Sequence, residues 1–143
     1  MDEQILVPFD DSKLGALALD RALKYPESAV TVIHVIDTRQ SNYGIEGGRT
    51  GSIDEARQRE AEKLIKEAEE HAERQDRTVM TVIEEGDAGD VIVEYATEND
   101  IDHVIMGSHD QSRTSRILVG HIAEIVIHNS PIPVTIVREN VSP

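Results

Sequence analysis

A parallel α/β fold is what this chain predicts, and three observations predict it. Short apolar, β-branched runs alternate with amphipathic helical stretches from one end of the 143 residues to the other. The run Ala29 to Ile36 is apolar at nearly every position, as in a strand covered on both faces. The chain has the length of one domain, enough to bury about two-thirds of the surface that its unfolded form exposes. Strands alternating with helices build right-handed βαβ units, so residues 1–143 are expected to form a single three-layer αβα domain.

Gln4 to Phe9 is a short apolar strand that runs into an acidic turn, Asp10-Asp11-Ser12. Ser12 is a suitable N-cap for a helix presenting Leu14, Leu17, Ala18 and Ala22, which Pro26 stops. Ala29 to Ile36 is the second, central strand. Residues 38–52 are polar, with Gly44, Gly47, Gly48 and Gly51, and read as a mobile loop. From Ile53 to about Gln75 the stripe Ile53, Ala56, Ala61, Leu64, Ile65, Ala68, Ala72 has helical spacing. Glu55/Arg59, Glu62/Lys66 and Glu70/Arg74 pair at i,i+4 and mark its solvated face.

Thr78 to Glu84 is a third strand, and Asp87 and Asp90 open a short helix with Val91, Ile92, Tyr95 and Ala96 inward, ending near Asn99. Ile101 to Met106 is strand four. Val119, Ile122, Ala123, Val126 and Ile127 share one face of the last helix, closed by Asn129 and Pro131, and Ile132 to Val137 is strand five. That strand alternates Ile132, Val134 and Ile136 with Pro133, Thr135 and Val137. Such an uncharged edge predicts a homodimer through strand five, closed by two-fold symmetry.

Composition narrows the function classes. With 28 acids against 14 bases the formal net charge is −14, which repels nucleic acid and anionic membranes. Four lysines against ten arginines and 3% aromatics suit a halophile protein kept soluble in high salt, and equally an ordinary acidic one. There is no cysteine, so thiolate chemistry and disulfides are excluded. No apolar run is long enough to span a bilayer, and the beginning Met1-Asp2-Glu3 lacks the features of a signal peptide; a cytoplasmic protein is expected.

The densest cluster of candidate site residues is Met106-Gly107-Ser108-His109-Asp110 and, after nine further residues, Gly120-His121-Ile122. Strand four feeds this block and a helix leaves it, where N–H groups can receive an anion at the carboxyl ends of parallel strands. Gly107 and Gly120 would let backbone approach a phosphate. Asp10-Asp11 at the end of strand one offers either a ligand contact or helix-entry chemistry. As a phosphoacceptor pair it would need a lone Asp after strand three and Lys-Pro after strand five; the chain has Glu84-Glu85 and Arg138-Glu139 instead. The Gly44 to Gly51 segment is not followed by Gly-Lys-Ser/Thr and is a lid or a plain loop, not a phosphate cradle. Six histidines show no metal spacing: His34 and His103 read as structural, His71 and His128 as surface residues, while His109 and His121 flank the glycine block. Gly107-Ser108-His109 is not a nucleophile elbow, and nothing in the chain demands catalysis.

Over nearly its whole length the chain resembles the universal stress protein family. The resemblance rests on Ile5-Leu-Val-Pro8-Phe-Asp10-Asp11-Ser12, Val32-Ile-His34-Val35 and Met106-Gly107-Ser-His109. It continues through Ser115-Arg116-Ile-Leu-Val-Gly120, Ile122-Ala-Glu124 and Ser130-Pro-Ile-Pro133-Val-Thr-Ile-Val137. It implies a Rossmann-like five-stranded sheet in order 3-2-1-4-5, a dimer, and a stress-response protein that is not an enzyme. ATP-binding members carry Gly-x₂-Gly-x₉-Gly-Ser/Thr in this block, and residues matching Asp10 and Val35 hold the adenosine. The implied nucleotide site comprises Pro8, Asp10 and Val35, then Met106, Gly107, His109 and Asp110, then Gly120, His121 and Ile122.

Two departures bear on the ligand. Asp110 stands where the family has glycine, and His121 where it has Ser or Thr; Gln111 and Arg113 replace residues that are often Arg and Gly. Aspartate tolerates a left-handed backbone, but its charge ~5 Å from a phosphate at an effective dielectric of ~20 repels by about 3 kcal/mol. His121 can still donate from its ring, and Arg113 and Arg116 offset part of the repulsion. The expected ligand is therefore an adenine nucleotide held weakly, AMP or ADP better than ATP, with Mg²⁺ only beside a polyphosphate. A nucleotide-free interaction module of the same family is one alternative. The other is a nucleotide-using enzyme of a related α/β class, an ATP pyrophosphatase, whose Ser-Gly-Gly-x-Asp-Ser loop Pro8-Phe9-Asp10-Asp11-Ser12 lacks.

Overall fold

The computed structural model of the chain describes residues 2–10, 12–37, 50–108 and 121–138. In chain order its elements are β1 (Glu3–Pro8), α1 (Lys13–Leu23), β2 (Ser28–Asp37) and α2 (Thr50–Glu73). Then follow β3 (Met80–Gly86), α3 (Ala88–Glu98), β4 (His103–Gly107), α4 (His121–Asn129) and β5 (Val134–Val137). The five strands are all parallel, in the order β3-β2-β1-β4-β5, as the resemblance implies.

Side-chain alternation splits the core into two halves. Ile5, Val7, Val30, Val32 and Ile105 face α1 and α2, meeting Ala18, Leu19, Ala22, Ile65, Ala68 and Ala72. Leu6, Ile33, Val104 and Met106 face α3 and α4, meeting Ile92, Ala96, Ala123 and Val126. Ile5, Leu6 and Val7 have no exposure at all, because β1 is central and covered on both faces. Each such side chain contributes about 1.5–3 kcal/mol by burial.

The helix ends follow the local chemistry. Ser12 caps α1 by accepting from the Gly15 N–H at 3.1 Å. The helix stops three residues before Pro26, since the residue preceding a proline is disfavoured in α geometry. At the end of α2, Asp76 takes φ 60°, and the N–H groups of Asp76 and Arg77 return to the Glu73 and Ala72 carbonyls. Asp100 (φ 56°) ends α3 the same way, with Ile101 N–H on Ala96. Both are left-handed caps that satisfy orphan carbonyls.

Several expected boundaries move. Helix α2 includes Gly51 and Ser52, which the sequence assigns to the preceding loop; a helical glycine costs about 0.5–1 kcal/mol, less than the packing farther along. Residues 38–49 of that loop lie outside the described residues. Ala56 is exposed, and among the described side chains the buried stripe of α2 begins at Ala61. Strand β3 starts at Met80 and reaches Gly86, and Arg77 ahead of it is occupied in closing the base of the sheet. Strand β5 starts at Val134: Pro131 and Pro133 have no N–H, and the Ser130 hydroxyl links to the Ile132 backbone instead.

His71 is not a free surface residue. Its Nε2 donates to Asp20 Oδ1 at 2.6 Å, and Gln75 donates to the same oxygen at 2.8 Å, joining α1 to α2. Burial pushes the Asp20 carboxyl up, but these bonds, with the charges of His71 and Lys24, outweigh it and hold it below the usual value. His128 is exposed, and His103 bonds the Thr135 hydroxyl at 2.7 Å, a structural tie between β4 and β5.

Candidate functional site

In a sheet of this order, the chain leaves β1 for β2 on one side while β4 pairs on the other, so the crevice opens at the carboxyl ends of β1 and β4. A cavity of about 390 Å³ lies there, within the range that small-molecule sites occupy. Strand ends supply Pro8, Val35, Met106 and Gly107; the β1–α1 turn supplies Asp10 and Ser12; α4 supplies Ile122.

Asp10 organises the first turn. Its Oδ1 accepts from the Ser12 N–H at 2.9 Å and from the Ser12 hydroxyl at 2.5 Å, while that hydroxyl oxygen accepts from Gly15. The carboxylate thus serves helix entry and also lines the cavity. Gly15 lets α1 come close: a Cβ there would lie 3.2 Å from Asp10 O and Oδ1. His34 adds a second brace, with Nδ1 donating to the Phe9 carbonyl at 2.8 Å. A carbonyl only accepts, so Nδ1 carries the proton and, in the neutral ring, Nε2 is an acceptor.

Packing gives Gly107 a reason of its own. A Cβ at this position would lie 2.6 Å from Leu14 Cβ and 3.0 Å from Leu14 C and O. The missing side chain is filled by α1, so the glycine serves helix–strand packing at the cavity floor.

Of the residues the sequence singles out, Pro8, Asp10, Val35, Met106, Gly107 and Ile122 come together around one cavity. His121 is exposed at the start of α4 and is not part of the lining. His109, Asp110 and Gly120 lie outside the described residues. Sequence reasoning missed the contribution of α2: Arg57, Glu60 and Leu64 also line the cavity, at i, i+3 and i+7 on one helix face. That spacing was readable, but the charge pairs beside it drew the whole polar face into solvent. Arg57 donates to the Asp37 carbonyl at 2.7 Å, fastening α2 to the end of β2.

Chemically, the cleft mixes polar groups with apolar walls. Its described lining carries three carboxylates, Asp10, Asp37 and Glu60, against one guanidinium, Arg57, with apolar walls from Ile33, Val35 and Ile92. Among the described residues no group of three or more His, Cys, Asp or Glu is placed to hold a metal ion. Among the same residues no helix is long and apolar enough to cross a membrane.

A parallel αβα sandwich with its cleft at the switch point is an α/β protein of the Rossmann-like class. Residues 1–138 match the model of the universal stress protein family, and the chain belongs to that family. It is similar to the universal stress protein MJ0577 of Methanocaldococcus jannaschii, 30% identical over 158 residues, covering 96% of each chain. The solved structure of MJ0577 superposes with a TM-score of 0.72 at 30% identity and 99% coverage of both chains. A universal stress protein family protein from Arabidopsis thaliana with AMP bound gives 0.71 at 14% identity, covering 97% of this chain and 93% of that one. A universal stress protein in complex with cAMP gives 0.68 at 19%, covering 96% and 97%.

Proposed function

We propose that this stress-response protein is a regulatory homodimer, not an enzyme, that binds an adenine nucleotide weakly in the cavity between β1, β2 and β4. The observation that carries the reading is the convergence of Pro8, Asp10, Val35, Met106, Gly107 and Ile122 on one cavity of suitable size. Two structures of the same fold contain AMP and cAMP, which supports the ligand class. Three carboxylates against one guanidinium favour the base and ribose over a polyphosphate, so AMP or ADP should outrank ATP, with Mg²⁺ entering only with a polyphosphate. The net charge of −14 and the excess of arginine over lysine support work in a salt-rich cytoplasm.

Mass spectrometry of ligand released from the purified protein tests the reading directly, and calorimetry with AMP and ATP at matched moderate salt measures it. Asp10→Ala should weaken every adenine nucleotide alike. Asp110→Gly with His121→Ser should tighten ATP by about 2–4 kcal/mol, mainly by removing like-charge repulsion. Neither released nucleotide nor measurable heat with AMP would leave the interaction-module reading in its place.

The dimer surface follows from β5, the outer strand of the sheet. Val134 and Ile136 pack toward α3 and α4 and Val137 toward α1, so among the described residues both faces are covered and the edge is left to pair. Light scattering should report a dimer for the wild type and a monomer for Val134→Asp. An unchanged dimer mass would place the interface elsewhere.

A further inference from the structure

We propose that α2 carries a base-reading pair, Arg57 and Glu60, which selects adenine over the 6-oxopurines. The inference deepens the nucleotide reading and rests on it. Arg57 and Glu60 are three residues apart on one face of α2, with Leu64 a turn beyond, and all three line the cavity. Leu64 is buried at 5% exposure and supplies an apolar floor beneath the two polar groups. Arg57 Nη2 is held by the Asp37 carbonyl at 2.7 Å, which spends one of five N–H donors. Because the guanidinium is planar and rigid, that bond narrows the directions in which the other donors point. Glu60 is acceptor-only when ionised and is exposed, available to a ligand group.

A tethered donor beside an exposed acceptor on the same helix face is the complement of the adenine edge. Adenine offers an amino donor at position 6 between acceptor nitrogens at positions 1 and 7. Glu60 would accept from the amino group while Arg57 donates to a ring nitrogen. Hypoxanthine and guanine carry an oxygen at position 6 and an N–H at position 1. Held at the same sugar position, they set an acceptor against the Glu60 carboxylate, leaving two acceptors face to face. Sliding the base to swap partners would pull the ribose from Asp10.

Calorimetric titration with AMP and with inosine monophosphate, which differ at positions 6 and 1, tests the proposal. The wild type should prefer AMP by about tenfold or more, the size of one charge-assisted hydrogen bond gained or lost. Glu60→Gln, at an exposed position and still folded, can both donate and accept, so the preference should fall toward unity. Arg57→Met should weaken AMP about tenfold, whereas Asp10→Ala should weaken both nucleotides equally. Equal binding of the two by the wild type, or a preference that survives Glu60→Gln, overturns the proposal and leaves the nucleotide reading standing. Failure of the wild type to bind either one overturns both.

Discussion

Replacing Gly107 by valine is expected to remove about 4 kcal/mol or more of stability, at the upper end for a single substitution. The backbone itself would accept the change, for among the described glycines only Gly86 has a positive φ. Space is what fails. The first carbon added would lie 2.6 Å from Leu14 Cβ and 3.0 Å from two backbone atoms of the same residue. Those atoms belong to a helix whose Ala18, Leu19 and Ala22 are fully buried, so it can retreat only by opening the core on that side. Alanine should cost about 2 kcal/mol, and both variants should loosen ligand binding, because the displaced helix carries the Asp10–Ser12 turn at its start. Urea denaturation checks the stability, with valine moving the midpoint by about 2 M for a typical dependence on denaturant. Leu14→Gly should partly rescue Gly107→Ala, while Leu14→Ala, which keeps the clashing Cβ, should not. Rescue by Leu14→Ala would mean that the clash lies with the leucine side chain beyond Cβ.

Gly107 also marks the limit of what the chain discloses by itself. Its position at the end of a buried strand was legible, and so was its importance. The packing reason was not, because the atoms filling its place come from α1, some ninety residues earlier. The elements were readable where burial makes a long signal: β1, β2 and the stripe of α2 all arise from runs of buried side chains. Boundaries slipped where backbone hydrogen bonding, not side-chain pattern, decides them, as at Pro133, which cannot donate to the ladder. The strand order came from resemblance, since periodicity says nothing about which strand lies beside which.

The candidate site divides in the same way. Asp10, Gly107 and Ile122 were legible because each stands next to a strand end or a helix start, where a parallel sheet gathers its ligands. Arg57 and Glu60 were not, for a charged residue on a long helix reads as solvated until the fold shows what lies against it. His71 was misread for the same cause: its partner Asp20 is 51 residues away in sequence.

Arg77→Ala is expected to lower stability by about 3–4 kcal/mol while leaving ligand affinity intact, the reverse of the pairing expected at Gly107. Arg77 follows the left-handed cap of α2, which directs its side chain to the base of the sheet. There Nη1 donates to the Leu23 carbonyl at 2.5 Å and the Tyr25 carbonyl at 3.3 Å, and Nη2 to the Ser28 carbonyl at 3.1 Å. One planar fork therefore holds the end of α1, the following turn and the first residue of β2. Truncation removes three charge-assisted bonds to carbonyls and takes a donor from the part-buried Leu23 and Ser28 carbonyls, where the loss exceeds the net worth of the bonds. Lysine should recover less than half, because a single ammonium cannot span carbonyls that a fork reaches in parallel. The clamp lies at the amino end of β2 and the cavity at its carboxyl end, so AMP affinity measured well below the melting transition should not change. Thermal and urea unfolding of the two variants decide the matter. A loss under about 1 kcal/mol for alanine would show that water replaces the guanidinium at these carbonyls, and that packing of α1 against the sheet holds the base of the fold without it.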